Sequence, residues 1–533
     1  MLRHFGKASC PWVTRTGAGR DVALCTATVR YNWKNTIQSR HVSVSATSMK
    51  NIYDIVIIGG GVAGTALACA LAANPRLKHQ RVALVEAMDL KKTLEWVPED
   101  NKFSNRCVSL TPASMAFFEN IGVGKHLHQS RVNGYRDMEV WDGVSGARIS
   151  FDAAALGLTD AAQDGTNPSI AYMIENVHLQ NAILQRLKEL QTQKLGAEVT
   201  LLENARVASI EKTAETLDEE ALDLSDWPTV QLGSGDALKA RLLIGADGVN
   251  SLVRNFADIE SLGWDYDTHG VVATVRLDPD RPNNTAWQRF LPTGPIAMLP
   301  LNDEYASMVW STKPALAKML KSVSAKDFCH LINAAYRNTP TDLAYLYSQI
   351  NKSTHVSRCD IGAEYAWREE VATKSLDEND LWQREHSLPP QVIDVQEGTR
   401  ASFPLKLRNS ERYVTDRIAL VGDAAHATHP LAGQGLNQGL LDVESISNVI
   451  ATGVSEGQDL GSIHLLRHYA ADRYVRNIAM ISACDKLHRL FGTDATPVVW
   501  LRSLGLSTVN SLDFVKARTR NDNHALPMLT MFS

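Results

Sequence analysis

A strand that runs straight into three spaced glycines and a helix is the feature that most restricts this chain. Residues 54–64 read Asp-Ile-Val-Ile-Ile-Gly-Gly-Gly-Val-Ala-Gly. Ile55 to Ile58 form a short apolar run of the kind that fills a buried parallel strand. Gly59 permits a tight turn, Gly61 lets backbone N–H groups approach a pyrophosphate, and Gly64 lets the following helix pack closely on the strand. An anion held there sits at the positive end of the helix. A second apolar run, Arg81 to Val85, ends in Glu86, 22 residues beyond Gly64. A carboxylate at that point accepts hydrogen bonds from a ribose hydroxyl and disfavours a phosphorylated ribose. A glycine-rich turn with no ligand is the alternative, but it leaves the strand, helix and terminal acid without a common purpose.

Two later segments bear on which dinucleotide is meant. Residues 417–426 read Arg-Ile-Ala-Leu-Val-Gly-Asp-Ala-Ala-His, and 430–439 read Pro-Leu-Ala-Gly-Gln-Gly-Leu-Asn-Gln-Gly: a buried strand ending in Gly422-Asp423, then a glycine-rich turn into a helix. Residues 240–254 run as an apolar strand into Asp247-Gly248, with Ser251 starting a turn or helix. The Asp247-Gly248 pair resembles the Asp-Gly fingerprint of flavoprotein hydroxylases, and Gly422-Asp423 resembles their second FAD fingerprint. The resemblance implies FAD as the cofactor, with the Asp423 carboxylate on its ribityl or ribose portion and Arg106, in Asn-Arg-Cys-Val-Ser-Leu, near the flavin. It also implies that Gly433, Gln434, Gly435, Leu436 and Asn437 bring backbone N–H groups to the flavin pyrimidine at a helix start. Pro430 would shape the face where oxygen reacts. Taken alone, Asp423 reads as a helix N-cap before Ala424; with Gly433-Gln-Gly-Leu-Asn437 ten residues on, the cofactor role is preferred. His426 and His429 are read as packing or supporting residues, and the catalytic acid–base groups remain unassigned.

From about residue 53 to 520 the chain is similar to the class A flavin-dependent aromatic hydroxylases, and within them to the ubiquinone-biosynthesis monooxygenases. Tyr172-Met-Ile-Glu-Asn176 and Trp287-Gln-Arg-Phe-Leu-Pro-Thr-Gly-Pro-Ile-Ala-Met-Leu-Pro-Leu301 carry the narrower likeness. The implied fold is α/β: a Rossmann-like FAD domain of the para-hydroxybenzoate hydroxylase type, interleaved with an antiparallel substrate sheet and followed by C-terminal helices. The implied reaction is hydroxylation of the ring of a polyprenylated phenol by dioxygen. The implied electron donor is a ferredoxin with its reductase, NADPH being the other possibility. Other ubiquinone-biosynthesis proteins would be partners. Epoxidation, prenyl-chain reduction and a catalytically weak FAD-binding scaffold are the competing readings. The Trp-x-Trp-x-Ile-Pro signature of flavin halogenases is absent.

Composition agrees with a large folded enzyme. At 533 residues with 44% hydrophobic content the chain can bury a sizeable core, and its net charge of −5 offers no electrostatic case for nucleic acid. Seven scattered cysteines without a Cys-x-x-Cys read as reduced thiols, with no metal site. The first 50 residues hold eight Lys or Arg against Asp21 alone, the composition of a mitochondrial transit peptide; a basic disordered tail is the alternative.

The layout expected is a transit peptide over 1–50, FAD-domain segments at 51–139, 173–260 and 401–450, substrate-domain segments at 140–172 and 261–400, and a helical region over 451–533. Within the second substrate segment, 360–396 reads as a surface insertion. Gly270–Leu277, Ala286–Leu291, Ile296–Leu301 and Ala306–Ser311 have the spacing of an antiparallel sheet. Val498, Leu501, Leu504, Leu512 and Val515 share one helical face beside Trp500, which suits either an interfacial helix giving peripheral membrane contact or a helix packed on the FAD domain.

Overall fold

The computed structural model describes residues 51–153, 169–212, 224–352, 360–428 and 433–511. The expected transit peptide, His429, Pro430, Leu512 and Val515 lie outside these residues.

The glycine-ended strand is β1 (Ile52–Ile58), and it lies at the centre of a sheet ordered β18-β19-β11-β1-β2-β8. Here β2 is Arg81–Val85, β8 Glu198–Leu202, β11 Ala237–Gly245, β18 Val414–Thr415 and β19 Ile418–Leu420. Strands β2, β8, β11 and β19 run parallel to β1, while β9 (Val207–Lys212) and β10 (Pro228–Leu232) add an antiparallel flap on β11. Ile55, Val56 and Ile57 are fully buried, as expected of a strand covered on both faces.

One cover is α1 (Val62–Ala73), a run of Ala, Leu and Cys whose small side chains favour helix and let it lie close to the strands. It stops at Asn74, which stands before Pro75 and is held extended. Helices α3 (Asn176–Gln193) and α10 (Gln434–Ser455) flank it, and α11 (Ile463–Phe491) packs on α10.

The four strands expected from the 270–311 pattern all form: β12 (Ser261–Leu277), β13 (Thr285–Leu291), β14 (Gly294–Pro300) and β15 (Tyr305–Thr312). Their order is β12-β15-β14-β13, antiparallel throughout, with β17 (Ala401–Ser410) beyond β12. Strands β5 (Asp137–Asp142) and β6 (Arg148–Asp152) extend the sheet past β13, and the β13–β5 pairing is parallel. Hydrophobic alternation marks both strands but carries no information on that direction.

One face of this second sheet bears Val271, Trp287, Met298, Met308 and Trp310. They pack under α5 (Pro314–Ser322), α6 (Ala325–Arg337), α7 (Pro340–Lys352) and α8 (Ile361–Thr373). Phe328, Leu320 and Leu331 are fully buried there, each worth about 1.5–3 kcal/mol of transfer.

The 360–396 segment differs from a simple surface excursion. It forms α8, α9 (Glu378–His386) and then β16 (Val392–Val395), which hydrogen-bonds to β12. Its charges are partly spent inward: Glu385 and Glu369 pair with the buried Arg337 at 2.8 and 3.4 Å.

The third sheet is small: β3 (Cys107–Leu110), β7 (Ala171–Glu175) and β4 (Val132–Tyr135). Helix α2 (Pro112–Asn120) follows β3, its N-cap Thr111 accepting from Ser114 N.

Helix α12 (Thr496–Ser511) is fastened on one side only. Arg502 is fully buried and grips Asp142 of β5 through Nε and Nη2 at 3.0 and 2.9 Å, while its Nη1 donates to the carbonyls of Leu490 and Thr493. Trp500, Leu501 and Leu504 stand exposed. So the helix packs on the second sheet, not on the sheet that holds β1, and the apolar face singled out from the sequence points outward as far as it is described. Among the described residues no helix is long and apolar enough to cross a membrane.

Candidate functional site

The expected site segments meet at one edge. Val85, Ile58, Gly245 and Leu420 stand abreast at the carboxyl ends of β2, β1, β11 and β19. Immediately beyond them come Glu86, the Gly59–Gly64 turn, Asp247-Gly248 and Gly422-Asp423. The strand order reverses at β1, with β2 and β8 on one side and β11 and β19 on the other. This is where open α/β sheets leave a crevice for ligands.

The three glycines of the turn have different jobs. Gly59 has φ +108, and a Cβ on it would lie 2.3 Å from the Ala246 carbonyl oxygen; a Cβ on Gly64 would lie 1.9 Å from the Gly59 oxygen. Both positions are demanded by the fold itself. A Cβ on Gly61 would meet no protein atom within 4 Å. This residue is the N-cap of α1, whose first-turn amides have no intrahelical acceptor. The open space therefore faces unsatisfied donors, as a pyrophosphate cradle requires.

A cleft of about 790 Å³ lies here, lined by Gly59, Gly61, Glu86, Asp247, Gly248 and Asn250 among others. Glu86 is tied back as well as presented: Oε2 accepts from Gly60 N at 2.6 Å and Oε1 from Met88 N at 2.8 Å. A carboxylate retains lone pairs after two such bonds, so a ribose can still be held. Asp247 departs further from the expectation. Its Oδ2 accepts from Leu252 N and Val253 N at 2.7 and 3.3 Å, so it caps α4 (Leu252–Phe256) together with Ser251. Its Oδ1 is buried with no partner among the described residues.

A second cleft, about 430 Å³, continues past Val249 to Asp423, Gly433, Gly435 and Leu436. The N-cap reading of Asp423 does not hold: it lies in a short 3-10 turn, Gly422–Ala424, with no side-chain cap bond. Its carboxylate has no hydrogen-bond partner among the described residues. The side chain opens into the cleft although protein surrounds it closely; burial raises its carboxyl above the usual range, with His426 pulling the other way.

The Gly422 amide is instead capped by Asp442 of α10, a residue the sequence reading passed over. Asp442 also takes His426 Nε2 at 2.6 Å, Arg473 Nε at 3.0 Å and Asn477 Nδ2 at 2.9 Å. Burial opposes its charge, yet these neighbours hold its carboxyl below the usual range. An acid set between Leu440, Leu441 and Val443 was the available signal. His426 thus supports the turn, as the sequence suggested. Arg254 joins two segments by donating to the carbonyls of Val249 and Ala424 at 2.7 and 2.9 Å.

Gly433 begins α10 with φ +60, and Gly435 and Leu436 line the cleft. Gln434 is buried. The Asn437 side chain points elsewhere: Oδ1 accepts from Thr111 N and Ser114 Oγ at 3.1 and 2.8 Å, and Nδ2 donates to the Ser109 carbonyl at 2.8 Å. It clasps α10 to β3, so only its backbone remains for a cofactor. Arg106 is exposed at the cavity rim, and its guanidinium has no partner among the described residues. Its loop is rigid because Glu175, paired with Arg131 at 2.6 Å, takes Ser104 N, and Asn105 donates to the Thr399 carbonyl.

A cavity of about 370 Å³ shares Cys107, Val108, Asn176, Phe403 and Gly433 with the second cleft and opens over the second sheet. Ala401, Val272, Val309, Ala297 and Gln288 stand abreast across β17, β12, β15, β14 and β13 and form its floor. Space exists because four of those five side chains are Ala or Val. Burial also pushes the Cys107 thiol up, so it stays protonated.

The two clefts meet the demands of FAD: an open anion cradle, an acid at the ribose end, an unpartnered carboxylate midway, and a helix start beside an apolar chamber. The profile of the FAD binding domain matches residues 52–336 and 324–483. Ubiquinone biosynthesis monooxygenase COQ6, mitochondrial, of Saccharomyces cerevisiae is 37% identical over 479 residues, covering 90% of this chain and 95% of that protein. The Homo sapiens protein of the same name is 36% identical over 472 residues, covering 89% and 92%. The chain belongs to the ubiquinone biosynthesis monooxygenase family.

Members of this family are FAD-dependent monooxygenases, and FAD is the cofactor of this chain. Solved structures give the same fold. PqsL of Pseudomonas aeruginosa superposes with a TM-score of 0.57 at 20% identity over 86% of this chain and 100% of that one. The p-nitrophenol 4-monooxygenase PnpA of Pseudomonas putida gives 0.56 at 18% over 88% and 96%. The Klebsiella pneumoniae protein HpxO, complexed with FAD, gives 0.54 at 17% over 87% and 96%.

Proposed function

We propose that this chain hydroxylates the aromatic ring of a polyprenylated 4-hydroxybenzoate-type intermediate in ubiquinone biosynthesis. The observation that carries the proposal is the small-residue chamber joined to the second cleft through Cys107, Asn176, Phe403 and Gly433. When bound, reduced FAD activates dioxygen so that one oxygen atom can be delivered to an electron-rich ring. The chain itself binds, orients and keeps water out.

The proposed cofactor contacts follow the edge of the sheet. The amides after Gly61 hold the pyrophosphate, with Gly59 and Gly64 fixing the turn. Glu86 holds the adenosine ribose, Asp247 and Gly248 flank the middle, and Asp423 binds the ribityl or ribose hydroxyls. Backbone N–H groups from Gly433 to Asn437, Gln434, Gly435 and Leu436 among them, face the flavin pyrimidine, with Arg106 at the rim. Pro430 is proposed on the oxygen-facing side from the family pattern alone.

Electrons are proposed to come from a ferredoxin and its reductase, with NADPH as the alternative to be tested. The protein is proposed to work in mitochondria, on the matrix side of the inner membrane, in contact with other ubiquinone-biosynthesis proteins. The acid-poor, basic residues 1–50 and the exposed Trp500, Leu501 and Leu504 support that placement.

The test is mass analysis of lipid extracts from cells lacking the protein. A prenylated phenol one oxygen poorer than its product should accumulate while ubiquinone falls. Unchanged ubiquinone would refute the proposal.

A further inference from the structure

Two chamber-lining side chains carry a buried polar atom that the described residues leave unanswered, Asn176 and Gln288, and the second lies in the floor. Gln288 is 3% exposed, yet its Nε2 has no hydrogen-bond partner among the described residues. It stands on β13 between Ala297 and Val140, in a row whose other members are Ala401, Val272, Val309 and Ile149. A carboxamide at a position where its neighbours are apolar weakens the free protein, because a buried donor without an acceptor has lost its water for nothing. Trp287, one residue earlier, faces the opposite side and donates its indole N–H to Asn283 Oδ1 at 2.9 Å. On the core side of the same strand, Arg289 donates through Nη1 to the Ala335 carbonyl and through Nη2 to the Gly143 carbonyl, although its Nε is left without a partner among the described residues.

We infer that Gln288 is a specificity-determining residue: its carboxamide hydrogen-bonds an oxygen substituent on the substrate ring. Because the rest of that row is hydrocarbon, and the other polar lining residues, such as Arg106, Asn176 and Ser307, lie off it, this carboxamide favours an oxygenated ring and fixes its rotation over the flavin. The ring carbon that is oxidised then follows from the angle between this bond and the prenyl tail. The inference rests on the proposed substrate class. It adds to that class the residue that reads the head group.

The test uses purified holoenzyme, wild type and Gln288→Met, which keeps the volume and removes the donor. Each is titrated with 3-geranyl-4-hydroxybenzoate, 2-geranylphenol and geranylbenzene, following the flavin absorbance change. The wild type should bind at least one oxygenated compound about tenfold or more tighter than geranylbenzene, and Gln288→Met should bind that compound and geranylbenzene alike. Loss of preference between phenol and benzene assigns the contact to the hydroxyl; loss confined to the benzoate assigns it to the carboxylate. Thermal melting of Gln288→Met should equal or exceed wild type, since no internal bond is broken.

A variant that keeps the wild-type preference overturns the inference while leaving the substrate class standing, and the chamber amide then serves only a bound water. A variant that melts well below wild type also overturns it, by revealing a structural bond. Wild-type protein that binds none of the three compounds overturns both this inference and the substrate class.

Discussion

The contrast between Gly61 and Gly64 gives the sharpest test of how this chain holds its cofactor. A Cβ on Gly64 would sit 1.9 Å from the Gly59 oxygen, and contacts under 3.0 Å do not occur, so α1 must move off β1 by about an ångström or more. Overpacking of that kind costs roughly 1–3 kcal/mol, and here both clashing groups are backbone and cannot swing aside. Gly61 has extended φ −67 and ψ −177, which any residue adopts, and its Cβ would meet nothing within 4 Å. Gly61→Val should therefore change the stability of the apoprotein by no more than about 1 kcal/mol. Its side chain would instead fill the space where a pyrophosphate meets the helix amides. Losing two charge-assisted hydrogen bonds of about 1.5–3 kcal/mol each weakens FAD binding by roughly a hundredfold or more. Urea melts of the apoproteins, with FAD retained per chain after gel filtration, separate the two effects. Gly61→Val should be folded and colourless, and Gly64→Val destabilised with or without FAD. Stoichiometric FAD in Gly61→Val, or melts in which the two variants suffer equally, would refute the assignment of this loop.

Asp423→Ala should weaken FAD binding about tenfold or more while the fold survives, as measured by flavin fluorescence on titration. Burial raises the Asp423 carboxyl, so the folded apoprotein holds a proton that the unfolded chain releases; its stability should fall as pH rises through and above the usual carboxylate range, and Asp423→Asn should flatten that slope in melts across pH. His178 accepts from His128 N at 2.9 Å, and burial, with His128 and Arg131 nearby, lowers it from 6.5 to about 4. The unfolded chain binds the proton first, so this contribution is complete above pH 6.5 and is lost as pH falls towards 4; His178→Gln should melt with a shallower acid dependence in that window. Arg502→Met strands the buried Asp142 and should cost about 3–5 kcal/mol in urea unfolding, much of it recovered in the double variant with Asp142→Leu. Residues 1–50 fused to a soluble reporter should carry it into mitochondria, and a cytosolic reporter would remove that placement.

What the sequence reveals here follows from the range of the interactions involved. The β1 turn, Glu86 at the end of β2 and the four strands of the second sheet are local patterns of burial and backbone freedom, and each is where the pattern implies. Glycine spacing could not divide the labour within the turn, because Gly64 is required by an oxygen five residues away, whereas a Cβ on Gly61 meets only open space, which is proposed to be kept for the cofactor. Asn437 was legible as a member of a motif but not in its direction, since its partners Ser109, Thr111 and Ser114 are more than 300 residues distant. Asp142 and Arg502, 360 residues apart, are ordinary charges in the sequence and an ion pair only in the fold. The same holds for Asp442, whose burial beneath the Gly422 turn depends on Arg473 and Asn477 of another helix. Alternation also could not tell that Val392 and Val395 join a sheet edge, since four residues beside Pro389 and Pro390 read equally well as loop.

The central claim is that a ring held over the second sheet receives one oxygen atom from dioxygen. Its most direct test is turnover of a prenylated 4-hydroxybenzoate by the purified holoenzyme under isotopically labelled dioxygen, with a chemical or ferredoxin reductant. Mass analysis should find a single labelled oxygen on the aromatic ring, and less product from the analogue without a tail, because each buried CH₂ contributes about 0.8 kcal/mol to binding. Label in an epoxide on the tail, or consumption of reductant with no label in any product, would contradict the account.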